Sequence, residues 1–284
     1  MPEGVPQGNF GPRLTGFLAL ATGRFRLSRR LVRELLEDVL GVKLTVGSVS
    51  NLEQCVSQAL AAPVSEARAY VQTQPAVHQD ETGWWQKHAR ACLWVASTAT
   101  VAVFLIAKDR GKAVAQTMLG RGFRGTLISD RWCAYQWVHA LQRQVCWTPL
   151  VREFEGFVER GGEAKRQGAL LLAEVFVLFE WWHLARDGLL TRATFQRKMQ
   201  PLMREVERLL AQAAEVCPKK VAGTASEILK LKDALWTLVY TEGVEPTNNL
   251  AERDLRHAVI WRKTGFGPRA RTAAASSSAS SRPS

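Results

Sequence analysis

The sequence is poor in cysteine, and none is placed for a bridge or a metal. Its five cysteines, Cys55, Cys92, Cys133, Cys146 and Cys217, are odd in number and widely spaced, with no C-x-x-C pair. That excludes a disulfide framework or a cysteine zinc site as the basis of the fold, and it fits a reducing compartment. Behind Met1 there is no basic segment followed by an apolar core, so no signal peptide is expected. Nor is there an uninterrupted run of about 18 apolar residues. The most apolar stretch, 169–185, contains Glu174, Glu180 and His183, and reads as a buried helix rather than a membrane span. A wholly disordered or fibrous chain is excluded as well, because 46% of the residues are hydrophobic.

What the sequence has in excess is positive charge. Thirty-eight Lys and Arg against 26 Asp and Glu leave a net charge of +12, which points to a polyanionic partner. The excess is not uniform. Residues 161–248 are nearly neutral, with 12 basic and 11 acidic residues, whereas 76–160 carry 11 and 7, and 249–284 carry 7 and 2. If those two flanking segments meet in space, they form a basic surface with a few acids inside it, as an enzyme of a phosphate backbone requires.

The pattern of residues divides the chain. Residues 1–72 read as helical: Ser28 is a fitting N-cap for Arg29 to Leu40, Gly41 ends that helix, and a short link leads to a second helix near Gly47 to Leu60. Helix, glycine-containing turn, helix is a helix-turn-helix-like pattern, and a DNA-binding region is expected there, with a plain helical hairpin as the alternative. Residues 73–149 change period. Ala76 to Gln79 reads as extended, and Ala91 to Ser97 with Val101 to Ala107 as a hairpin. Lys112 to Leu119 is expected to be helical, Gly125 to Ser129 a buried strand, Ala134 to Leu141 a short helix and Gln144 to Trp147 a strand, giving a mixed α/β class. Residues 150–245 read as a helical block, with long helices over Ala164 to Arg186 and Phe195 to Glu215 and a third over Ser226 to Tyr240. A last helix, Leu250 to about Val259, falls within 246–268. The segment 269–284 is low in complexity and builds no core.

Three acids stand out by position. Asp80 follows the first strand, Asp130 ends the fourth, and Glu252 lies in the first turn of the last helix. Strand ends are where open α/β sheets put their chemistry. Three carboxylates in one basic cleft repel one another unless cations lie between them, and oxygen-only ligands favour Mg2+ or Mn2+ over zinc. Two such ions clamp the attacking and leaving oxygens of a phosphodiester. Each acid also has a structural reading. Asp80 could cap a turn before Gly83, Asp130 could pair with Arg131 or another arginine, and Glu252 could cap with Asn249 or pair with Arg256.

The segments around these acids resemble the transposases of the insertion-sequence 66 family. The resemblance rests on Phe10-Gly11-Pro12-Arg13-Leu14, Val77-His78-Gln79-Asp80-Glu81-Thr82-Gly83-Trp84, Ile128-Ser129-Asp130-Arg131-Trp132-Cys133-Ala134-Tyr135, Cys146-Trp147, and the run from Glu245 through Pro246-Thr247-Asn248-Asn249-Leu250-Ala251-Glu252-Arg253 to Arg256, in that order. It implies an Asp-Asp-Glu enzyme on a ribonuclease H-like mixed sheet, with the all-helical block as an insertion between the second Asp and the Glu. Asp80, Asp130 and Glu252 would be catalytic and would bind two ions, Mg2+ or Mn2+. The implied activity is metal-dependent cleavage and transfer of DNA strands in the cytoplasm, at the nucleoid. The partners would be element ends and target DNA, with a homo-oligomer assembling on that DNA and no membrane involved. Arg131, Arg253, Arg256, Arg262 and Lys263 are candidates for phosphate contacts, with exposed solvated side chains as the alternative. For the neighbouring Trp84 and Trp85, core packing is expected of at least one and base stacking is open to the other.

The sequence departs from the family pattern in three places. No cysteine-rich zinc-binding segment precedes Phe10, Thr148-Pro149 stand where Ala-His is usual, and an Ala/Ser-rich tail follows Gly267. A truncated element is therefore expected. A catalytically incompetent DNA-binding remnant, or another nuclease of the ribonuclease H fold, are the alternative functions.

Overall fold

The computed structural model describes residues 10–86 and 89–264. The tail expected at 269–284 and the run Gly265-Phe266-Gly267 lie outside the described residues, as do the first nine. The described chain is mixed α/β, with one five-stranded sheet among many helices. The strands are β1 (Ala76–Gln86), β2 (Ala89–Ser97), β3 (Ala102–Ala107), β4 (Thr126–Ser129) and β5 (Arg143–Val145), in the spatial order β3-β2-β1-β4-β5. β2 and β3 are antiparallel, with Val95 opposite Phe104, whereas β4 runs parallel to both β1 and β5, with His78 opposite Ile128 and Ser129 opposite Val145.

The chain forms two compact units, and it passes between them more than once. The first holds residues up to Gln74, then Asp80–Phe123, then Leu250 onward. It starts with three helices, α1 (Pro12–Gly23), α2 (Arg29–Leu40) and α3 (Val46–Ala59), around a small core of Leu18, Ala21, Val32, Leu36, Leu44 and Val49. Local chemistry sets their ends. The Ser28 hydroxyl accepts the Leu31 amide, the Thr45 hydroxyl accepts the Ser48 amide, and Gly41 turns α2 off in the left-handed region at φ 64°. After α4 (Ala61–Gln72) come the far part of β1, the hairpin β2–β3, α5 (Lys112–Leu119) and the last helix, here called the closing helix, Asn249–Thr264. A second core joins Trp84, Leu93, Val95 and Ala102 of the strands to Ala251 and Leu255 of that helix.

The second unit holds Pro75–Gln79 and Arg124–Asn249. Here β4 and β5 lead into α6 (Trp147–Glu159), α7 (Gly162–Arg186), α8 (Arg192–Val216) and α9 (Lys219–Leu229), which share one large apolar core. Helix α7 is long and apolar enough to cross a membrane by length and composition. In this unit its Leu171, Val175 and Leu178 are buried in the shared core. Helices α6 and α7 approach closely at Gly168, where a Cβ would lie 2.7 Å from the Phe154 carbonyl oxygen.

Three elements differ from expectation, each for a physical reason. β1 runs on to Gln86 instead of ending at Gln79, because beyond its pairing with β4 it is still held in the sheet beside β2. Asp80 is thus inside a strand. The helix expected over 226–240 is broken into α9, α10 (Lys232–Leu235) and α11 (Thr237–Tyr240). Its backbone groups are taken up by side chains: Gln144 Nε2 and Trp147 Nε1 both donate to the Leu235 carbonyl, and the Leu238 amide donates to Gln144 Oε1. In place of a helix over 134–141 there are two short 3-10 turns, Cys133–Tyr135 and Ala140–Gln142, and the buried Tyr135 of the first and Val138 between them anchor the loop. The closing helix Asn249–Thr264, last of the twelve α-helices among the described residues, is α12.

Candidate active site

Asp130 follows a strand whose four residues are all buried. Its carboxylate Oδ1 accepts the Trp132 amide at 2.9 Å, which folds the loop back on the acid. Its backbone carbonyl accepts Arg143 Nη2 at 2.7 Å, and the same guanidinium donates from Nε to Ser129 Oγ at 3.3 Å and lies 5.7 Å from the Tyr135 ring centre. Arg143 sits on β5 and is only 2% exposed. Burial lowers its pKa from the ordinary value, and the nearby Asp130 charge works against that fall. A buried cation thus underlies the first carboxylate of this unit. Sequence reasoning missed Arg143, which stands between Gln142 and Gln144 just before the stretch read as a strand and carries no local signal of burial.

The neighbouring Arg131 does not pair with Asp130. Its Nη2 reaches Glu153 of α6 at 2.7 Å. Pro149 is accommodated in the first turn of α6, where amide hydrogens lack helical partners anyway.

The second unit also brings three of the motif segments together around Asn248, which is 2% exposed. Asn248 Nδ2 donates to the Gln79 carbonyl at 3.0 Å, and Oδ1 lies 3.3 Å from His78 Nδ1. Since the amide nitrogen is committed to Gln79, Oδ1 is the acceptor and His78 Nδ1 carries the hydrogen. The Asn248 backbone amide donates to Cys146 Sγ at 3.1 Å, and the Trp147 amide donates to the Pro246 carbonyl at 2.9 Å. The Cys-Trp pair is therefore a structural receptor for the segment that leads into α12.

In the first unit, Asp80 is half-buried on β1, and its Oδ1 accepts the Glu81 amide at 2.8 Å. Glu81 is buried on the strand and is held by Arg110 Nε at 2.6 Å. Glu252 stands in the first turn of α12, half-buried between Ala251 and the exposed Arg253. The turn of the helix is fixed by its neighbours: Ala251 and Leu255 enter the core, and Asp254 Oδ2 accepts the buried Ser97 hydroxyl at 2.6 Å. Further along, Arg262 Nη1 donates to the Gly83 carbonyl and lies 3.4 Å from Thr82 Oγ1, while Trp261 meets Trp84 edge to face at 6.3 Å. Trp84 is buried, and Trp85 is 55% exposed beneath Arg90. Arg253, Arg256 and Lys263 are exposed on α12.

Asp80 and Glu252 thus belong to one compact unit and Asp130 to the other. The three offer carboxylate oxygens alone, a donor chemistry that fits a hard divalent ion. Among the described residues, no three His, Cys, Asp or Glu side chains are grouped to hold a metal ion.

One acid lies within a strand, one directly follows a strand and one stands in the first turn of a helix, in a basic α/β chain. The model of the Transposase IS66 family matches residues 8–276, which makes the class transposase, with DNA as the partner. The chain belongs to the IS66 family of transposases. No curated protein matches it.

Proposed function

We propose that the chain is an Asp-Asp-Glu DNA transposase on a ribonuclease H-like fold, which cuts DNA at the element ends and joins the freed 3′-hydroxyl to a target. The observation that carries this reading is the family match, which runs through Asp80, Asp130, Glu252 and the helical block between the last two. Register supports it: His78 pairs with Ile128 on parallel strands, and each acid stands two residues further on. Asp80, Asp130 and Glu252 would hold two divalent ions, Mg2+ or Mn2+, which supply polarisation of the scissile phosphate and of the attacking oxygen.

The protein's own groups do the rest. The Trp132 amide aims one Asp130 oxygen, leaving the carboxylate's charge to be offset by Arg143 from behind. Ser97, through Asp254, sets the rotation of α12 and so the direction of Glu252. Arg253, Arg256 and Lys263, exposed on that helix, would meet phosphates. Arg131 and Arg262, already bonded to Glu153 and to the β1 backbone, would do so from fixed positions.

Strand cleavage of duplex DNA in the presence of Mn2+ tests the proposal. Cleavage by the native chain and its loss in Asp130→Ala are expected; cleavage that survives Asp130→Ala overturns the assignment. Salt-sensitive DNA binding with no metal-dependent cleavage by the native chain would instead favour a DNA-binding remnant.

A further inference from the structure

Helix α7 is apolar on more sides than its own unit covers. The 18-residue window that makes it apolar enough for a membrane has a mean hydropathy of 1.4, yet only 22% of that window is buried. Val175 and Leu178 face the shared core, and the opposite side carries Ala169, Leu170, Ala173 and Phe176 at exposed positions. Phe176 is 72% exposed and Leu170 39%. A helix that is apolar all round is ordinarily buried all round, so this side is short of a partner.

Two opposite charges close the stripe, Arg166 at one end and Glu180 at the other, both exposed. Ala173 stands midway, seven residues from each, and the apolar positions between them keep the three- and four-residue spacing of a two-heptad seam. From Arg166 to Glu180 the helix rises about 21 Å, too short for the roughly 30 Å interior of a bilayer. Between its ends the stripe holds no charge, so it offers no grip to a polyanion. Both end charges are open to a partner. Arg166 donates to Glu163 from Nε and Nη2, which leaves Nη1, and no ion pair holds Glu180 among the described residues.

Turning the helix end for end about Ala173 exchanges Arg166 with Glu180. The stripe is therefore complementary to itself when two copies run antiparallel. Parallel copies would set like charges together. We propose that α7 pairs with α7 of a second copy of this chain, antiparallel about a two-fold axis at Ala173. Each Arg166 meets Glu180 of the second copy, each Phe176 seats against the small Ala169, and the facing Ala173 residues let the helices approach closely. The dimer forms without DNA and without metal. It rests neither on the transposase reading nor on the three carboxylates. A contact made by one helix face is at the small end of specific interfaces, so a dissociation constant on the order of micromolar is expected.

Sedimentation equilibrium of the nuclease-treated full chain, with no DNA and no metal, tests the pairing. Between about 0.1 and 100 µM the native chain should pass from monomer to dimer. Phe176→Glu should keep it monomeric throughout that range. Arg166→Glu and Glu180→Arg should each weaken the dimer about tenfold. An equimolar mixture of those two variants should recover it, because every end pair then joins opposite charges again. Circular dichroism melting checks that the variants, all at exposed positions, fold as the native chain does. A native chain that stays monomeric over the whole range overturns the proposal. So does a dimer that Phe176→Glu leaves intact, or a mixture that associates no more tightly than its two components. Strand cleavage with Mn2+ is read separately, so failure of the pairing leaves the transposase reading standing.

Discussion

Replacing Asn248 by alanine removes two buried bonds at a point where three segments meet. The Gln79 carbonyl loses its donor and His78 Nδ1 loses its acceptor, while the Asn248 amide keeps Cys146 Sγ. Each bond contributes about 1 kcal/mol net, and each orphaned buried group costs roughly 1–3 kcal/mol. Because part of the cavity relaxes or hydrates, the expected loss is about 2–4 kcal/mol. Urea denaturation followed by tryptophan fluorescence reads it directly, since Trp147 and Trp236 lie 5.0 Å apart in the core of the same unit. Asn248→Asp is the sharper control. It keeps the shape and the acceptor toward His78 but sets an oxygen against the Gln79 carbonyl, so it should be no milder than alanine at neutral pH. A His78→Ala, Asn248→Ala cycle should show coupling of roughly 1 kcal/mol, because the two changes delete one shared bond. A loss below about 0.5 kcal/mol in Asn248→Ala, or strict additivity with His78→Ala, would refute the claim that this amide fastens the segment before α12.

Two further expectations concern the helical block. Gly168→Ala should destabilise the chain by about 1–3 kcal/mol in thermal or urea melts, because its Cβ would meet Phe154, Phe157 and Val158 at 2.7–2.9 Å and two of those contacts are backbone; a neutral result would mean that α6 and α7 separate freely. Glu174 has its pKa raised above the ordinary 4.5, first by burial and then by Glu205. The folded chain therefore binds this proton more tightly than the unfolded one, and the stability it gives is present in full below 4.5 and lost as pH rises through the raised value. Glu174→Gln should be more stable than the native chain at pH 7, by about half a kcal/mol or less after solvent screening, and the gap should close as pH falls toward 4.5. A gap of equal size at pH 4 and pH 7 would contradict this.

Elements whose ends are made by local chemistry were legible in the sequence. Ser28 and Gly41 bound α2 as read, Lys112 to Leu119 is helical, and the β2–β3 hairpin falls where its β-branched runs stand. Core packing was expected of at least one of the paired tryptophans, and Trp84 is buried while Trp85 is exposed. Elements decided by distant partners were not legible. The break in 226–240 comes from Gln144 and Trp147, about 90 residues earlier, whose side chains take the backbone groups a continuous helix would have used. The three acids could be named from strand and helix positions and from the family resemblance. The groups that hold their surroundings could not, because Arg143 beneath Asp130, Ser97 against Asp254 and Asn248 against His78 are pairings across 13 to 170 residues with no periodic trace.

The first unit is finished by the end of the chain. The apolar side of its strands, with Trp84, Leu93 and Val95, is covered by Ala251, Leu255 and Trp261, which lie some 150 residues later. On a ribosome adding about 5–20 residues per second, that surface waits roughly ten seconds or longer for its cover. A chain ended early, by a frameshift or a stop before α12, would lose more than Glu252. It would display an open hydrophobic sheet to chaperones and proteases, so premature products should be cleared rather than persist as competitors for DNA. For a mobile gene subject to broken copies, the late helix is thus a test of completeness written into folding itself.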